Sequence, residues 1–196
     1  VIMVGSAFGV IFYGFAGNTG KVKYNKISFS RVNGGWFATI NKEKIFFNYL
    51  PTEVEDIQIN NNIIDKIKNT LEVDITYDEN NSYAEEIALS QYQLRNILNS
   101  FNIHVRNGFT AANNFDIPII TCKDASSFVP IIYFEESNET SVTIDNGCII
   151  ADINNRIDAI RVKDRLLYGI LGILGWTMEH KESKKEEKTS KKKSDK

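Results

Sequence analysis

The first charged side chain in this 196-residue chain is Lys21. Residues 1–16, VIMVGSAFGVIFYGFA, are apolar on every side, and the uncharged run approaches the roughly 20 residues that cross a bilayer. A helix buried in a soluble domain would show a polar face, and this stretch has none. The expected organisation is a transmembrane or signal-anchor helix over residues 1–20, a single α/β domain over 21–178 and a disordered tail over 179–196. Gly14-Phe15-Ala16 also fits a small-x-small cleavage site, so a removable leader is the alternative.

Lys21, Lys23, Lys26 and Arg31 follow the apolar run with no acid among them. Read alone, the positive-inside rule leaves the domain in the cytoplasm, and a basic leader ahead of Val1 would reverse that. The reading leans to a single-pass membrane protein with its domain on the extracytoplasmic side. The triplets Asn80-Asn81-Ser82 and Asn138-Glu139-Thr140 match glycosylation acceptors, but Asn is so abundant here that they decide nothing.

Within the domain, hydrophobic alternation predicts an α+β fold with mixed sheets. Residues 26–31, 36–40 and 45–49 read as an antiparallel meander with a turn at Asn33-Gly34. Ile63, Ile64 and Ile67 mark a short helix, and residues 71–76 a strand. Ser82-Tyr83-Ala84-Glu85 has the form of a capping box, and the helical spacing behind it continues to about Ser100. With a strand over 102–107 this makes a strand–helix–strand unit. Residues 117–122, 129–134, 141–144 and 148–152 suggest a second antiparallel cluster, its last turn Asp145-Asn146-Gly147. A final packing helix is predicted over 157–174, stopped by Gly175.

Candidate chemistry is sparse. Asp74 and Asp78 end a predicted strand ahead of a helix, the edge where α/β sheets bind ligands, and Asp124 is a third carboxylate that such a site would recruit. Together they give one alternative reading, a metal-assisted enzyme. The bland reading of the same residues is a solvated strand face. His104 has no nucleophile motif beside it, and two Cys with two His lack zinc-ligand spacing, so no metal and no cofactor are assigned. No phosphate loop, nucleophile elbow or dinucleotide fingerprint occurs.

Cys122 and Cys148 each lie in a predicted strand of the same cluster. They read either as a disulfide in an oxidising compartment or as two buried hydrophobes. A disulfide-stabilised lipid or ligand carrier is the second alternative. Leu166, Gly169, Gly172 and Trp176 belong to an uncharged helical stretch whose small residues suit close packing, against the sheet or against a partner. The tail carries eight Lys, four Glu and one Asp over residues 179–196, so contact with anionic lipid or RNA is open to it. No aromatics interleave with those lysines. A formal net charge of −2 gives no field for specific DNA binding.

Four stretches carry a resemblance: FFNYLPTEVE from Phe46, IPIITCKDA from Ile117, NGCII from Asn146 and DRLLYGILG from Asp164. On these the sequence resembles a group of uncharacterised archaeal membrane-anchored proteins. The resemblance implies an archaeal source and an N-terminal anchor, and transfers no catalytic residue. The leading expectation is a membrane-tethered protein-interaction or assembly module without catalytic activity.

Overall fold

The computed structural model describes residues 20–175. The expected anchor (apart from Gly20), Trp176 and the lysine-rich tail lie outside the described residues.

Alternating stretches joined by turns that accept positive φ build the first sheet. β1 (Lys21–Tyr24), β2 (Ile27–Val32), β3 (Gly35–Ile40) and β4 (Glu43–Phe47) pair in chain order, all antiparallel. Asn41 and Lys42 both take positive φ, 51° and 73°, as the type I′ turn of a two-residue hairpin demands. The sequence reading counts three strands here and treats Lys21 and Lys23 as flanking charges. The structure adds β1, in which Val22 and Tyr24 pack against the core while both lysines face solvent.

α1 (Asn61–Lys68) starts at Asn60, whose side chain accepts from the Asn62 amide, and it buries Ile63, Ile64 and Ile67. β5 (Glu72–Tyr77), α2 (Ala84–Ser100) and β6 (His104–Phe109) form the expected unit, with the two strands parallel. Ser82 does not cap α2. The N-cap is Tyr83, whose amide is taken by Asn81 Oδ1 at 2.8 Å, while the Ser82 amide donates to Glu136 Oε2 at 3.1 Å.

Residues 117–152 depart from the expected antiparallel cluster. β7 (Ile131–Glu136) and β9 (Cys148–Ile153) run parallel to β5 and extend the same sheet, and only β8 (Ser141–Asp145) is antiparallel. The mixed sheet therefore has the order β6-β5-β7-β9-β8. Ile131, Ile132 and Phe134 are fully buried on alternating sides of β7, and a strand covered on both faces is what a parallel sheet requires. The β8–β9 hairpin turns on Asn146 and Gly147, both with positive φ.

Residues 117–122 are not a strand. Ile119 makes a single bridge to Phe109, Pro118 offers no amide, and Cys122–Asp124 is a 3-10 turn.

The tertiary consequence follows from the strand order. β6 and β7 are parallel and flank β5, so the chain between them must cross β5 on one face. No helix does this. Residues 110–130 form an irregular strap across the face opposite the main core. Side chains sort accordingly: Val73, Ile75 and Tyr77 join the main core, whereas Ile120, Ile131 and Cys148 form a small second cluster under the strap. Thr76 donates its hydroxyl to the Ile120 carbonyl at 2.8 Å. Gly108 is required beneath it, because a Cβ there would sit 2.6 Å from Ile120 Cδ1.

α3 (Arg156–Ile170) is buried along nearly its whole length. It packs on β9, α2 and α1, and Tyr168 stacks on Phe47 at 4.5 Å between ring centroids. The helix ends before Gly172, at φ +68°, and not at Gly175 as the sequence suggests. Among the described residues no helix is long and apolar enough to cross a membrane.

Candidate functional site

The strap face collects most of the residues that the sequence marks for chemistry. Asp74 sits on β5 beneath it, 1% exposed, and register places Arg106 of β6 directly opposite. The guanidinium grips the carboxylate with both forks, Nε to Oδ1 at 2.9 Å and Nη2 to Oδ2 at 2.6 Å. That bond raises the Arg106 pKa above its ordinary value, against partial burial. Glu72 stands 3.9 Å from Arg106 Nε, and the charge of Asp124 also bears on the same guanidinium.

Asp124 has its own task. Its carboxylate accepts from the Thr121 amide at 2.8 Å and the Thr121 hydroxyl at 3.0 Å, closing the 3-10 turn. The backbone bond, and then the hydroxyl, hold the Asp124 pKa below the usual carboxylate range. Asp78 is exposed and accepts from the Asn80 amide at 2.9 Å.

Two of the three sequence candidates thus share the field of Arg106, and Asp78 stands apart. Among the described residues no group of three His, Cys, Asp or Glu is placed to hold a metal ion. Asp78 instead bears on Tyr133, whose hydroxyl is pushed up by burial and then by Glu135, Asp78 and Asp152. Arg106 carries no motif of its own, and only the observed register of β5 and β6 puts it across from Asp74.

Cys122 and Cys148 are bonded to each other, with Cα atoms 5.2 Å apart and a sequence separation of 26. The bond ties the middle of the strap to the start of β9. Closing a loop of that length stabilises the fold by about 3.5 kcal/mol if the whole effect is chain entropy.

The strap also displays apolar side chains on ordered backbone. Asn113 Oδ1 accepts from the Phe115 amide at 2.9 Å, and Asn113 Nδ2 donates to the Ile117 carbonyl at 2.8 Å. This fixes a tight loop that leaves Phe115 68% and Ile119 57% exposed near the C-terminal end of β6. At the other end of the strap, Ser126 Oγ accepts from the Val129 amide at 2.9 Å in a turn that leaves Phe128 82% exposed.

Leu166 and Gly169 are committed to the interior. Leu166 is fully buried, and a Cβ on Gly169 would lie 2.5 Å from Ile64 Cδ1, so the glycine lets α1 and α3 approach. Gly172 serves to end α3. The partner of Gly169 is therefore α1 of the same chain.

The same helix carries three consecutive charges inside the fold: Lys163, Asp164 and Arg165 are each 1% exposed or less. Asp164 Oδ2 accepts from the Asn48 and Tyr49 amides, both at 2.9 Å, and Oδ1 pairs with the Lys163 ammonium. Lys163 also donates to Asn48 Oδ1 at 3.0 Å, and Arg165 Nε donates to the Ile57 carbonyl at 3.0 Å. Burial pushes Lys163 down and Asp164 up, each opposed by the other's charge. The group fastens the segment after β4 to α3, which makes it structural.

No protein-family model matches this chain, and comparison with curated proteins and with solved structures finds no match to either.

Proposed function

We propose that this chain is a membrane-tethered protein-interaction or assembly module whose recognition surface is the disulfide-pinned strap. The observation that carries the reading is the exposure of Phe115 and Ile119 on a loop that the fold takes trouble to order. Covering one such side chain is worth about 2 kcal/mol, so holding both in water on a hydrogen-bonded loop favours a surface that meets a partner. The bridge between Cys122 and Cys148 supports an oxidising compartment and hence an extracytoplasmic domain. The uncharged N-terminal run supports the tether.

The test is recovery of the full chain from detergent-solubilised membranes, as wild type and as a Phe115→Ser/Ile119→Ser variant. The wild type is expected to retain a protein at fixed stoichiometry, and the variant to lose it while keeping its thermal transition. Recovery of the wild type alone would overturn the proposal. Protease accessibility in intact cells, with and without reductant, reads the compartment separately.

A further inference from the structure

Of the large apolar side chains exposed among the described residues, the two most exposed are not on the Phe115 loop. Leu71 is 81% and Phe128 82% exposed. They belong to adjoining turns at the opposite end of the domain, where the Thr70 hydroxyl is hydrogen-bonded to the Phe128 carbonyl and the Lys66 ammonium reaches the Ser127 carbonyl at 3.3 Å. Beside Leu71 lies an open depression of about 440 Å³, lined by Asn41, Lys68, Phe101 and Leu171 among others. All three α-helices among the described residues finish at this end, so the chain leaves α3 here, and the lysine-rich sequence begins shortly after.

The surrounding charges include a group of lysines. Lys68 lines the depression, and Lys42 and Lys44 are exposed in or beside the β3–β4 turn. Lys66 and Lys68 occupy the last turn of α1, where they offset the partial negative charge of its C-terminus. The acids at this end are Glu43, Asp65, Glu72 and Asp145, and Glu72 faces Arg106. Leu71 and Phe128 project singly, with Lys68 three residues before Leu71 and the Lys66 ammonium on the carbonyl that precedes Phe128. They suit a bilayer interface, where apolar tips enter the headgroup boundary and lysines meet anionic phosphate.

We infer that this end of the domain docks onto an anionic lipid surface, with Leu71 and Phe128 entering the interfacial layer and Lys42, Lys66 and Lys68 over the headgroups. The inference rests on the membrane-tethered reading and adds to it the face that the domain turns to the bilayer.

The experiment uses the full chain on vesicles of phosphatidylcholine alone and on vesicles containing phosphatidylglycerol. Flotation with phosphatidylcholine tests the tether, and hydroxyl-radical labelling of the Leu71 and Phe128 side chains tests docking. Labelling of both is expected to fall about tenfold on phosphatidylglycerol, to stay high on phosphatidylcholine, and to recover in high salt. A Lys42→Ser/Lys68→Ser variant, altered only at exposed positions, should still float with phosphatidylcholine and lose most of that protection. Equal labelling on the two lipids, or protection unchanged in the variant, overturns the inference. Should the chain fail to float with phosphatidylcholine, the tether is refuted on its own. Docking is then judged by binding to phosphatidylglycerol, which the variant must weaken about tenfold.

Discussion

Replacing Asp164 by Asn probes the buried charges of α3 without changing their shape. The new amide oxygen still accepts from the Asn48 and Tyr49 backbone, each now 2.9 Å from Oδ2, so those bonds survive. What disappears is the negative charge against Lys163, leaving the ammonium in a fully buried position with Asn48 Oδ1 at 3.0 Å. Breaking a buried pair on one side costs about 3–5 kcal/mol. An independent ceiling comes from letting Lys163 lose its proton: moving from the ordinary lysine value of about 10.4 to pH 7 costs about 4.6 kcal/mol.

The two routes agree, and the second has a pH signature. In the variant the folded lysine pKa is depressed, so the unfolded chain binds more protons and stability rises with pH up to the unfolded value. The deficit should therefore shrink by about 1.4 kcal/mol per unit between pH 7 and 9.5. Urea unfolding reads both, with an expected midpoint loss of about 2 M at pH 7. Lys163→Met/Asp164→Asn, which removes both charges, should be more stable than Asp164→Asn alone. A deficit below about 1 kcal/mol, or one that does not respond to pH, would refute the reasoning.

Other expectations follow from single contacts. Cys122→Ser/Cys148→Ser should lower unfolding free energy by about 3.5 kcal/mol in urea, and reductant should produce the same loss in the wild type. Gly169→Ala should destabilise by about 1–3 kcal/mol through Ile64, and Ile64→Val in that background should return part of the loss. The Asp124 carboxyl should titrate below the ordinary aspartate range by NMR, and Thr121→Ala should bring it only part of the way back, because the backbone bond persists. The sign is that of a depressed acid: whatever stability the turn gains is present above the unfolded pKa and is lost as pH falls through the folded one.

Elements with a local cause were legible in the sequence. The Asn146-Gly147 turn follows from backbone sterics, and the helices of Ile63-Ile64-Ile67 and of residues 84–100 follow from periodicity alone. Strand direction was not legible. The apolar run at 129–134 suits a central parallel strand as well as an antiparallel one, and only the non-local order β5-β7-β9 decides between them. Nor does local pattern say that Lys163, Asp164 and Arg165 are buried, since their partners Asn48, Tyr49 and Ile57 lie more than a hundred residues away. Ser82 shows the opposite error: a sound local motif lost to Asn81, whose side chain reached the Tyr83 amide, while Glu136 took the amide of Ser82 itself. At the strap face, Asp74 was picked out by position, but its meaning depended on Arg106, which only the strand pairing supplies.

The Cys122–Cys148 bond makes a closed covalent ring of the polypeptide that includes β7 and β8. A protease cutting at Phe128 opens that ring without dividing the molecule, so the nicked chain keeps its full mass until it is reduced. A cut at Phe115 falls outside the ring and separates two pieces held only by packing. The turn beside the lysines can therefore survive a single cleavage that the loop bearing Phe115 cannot.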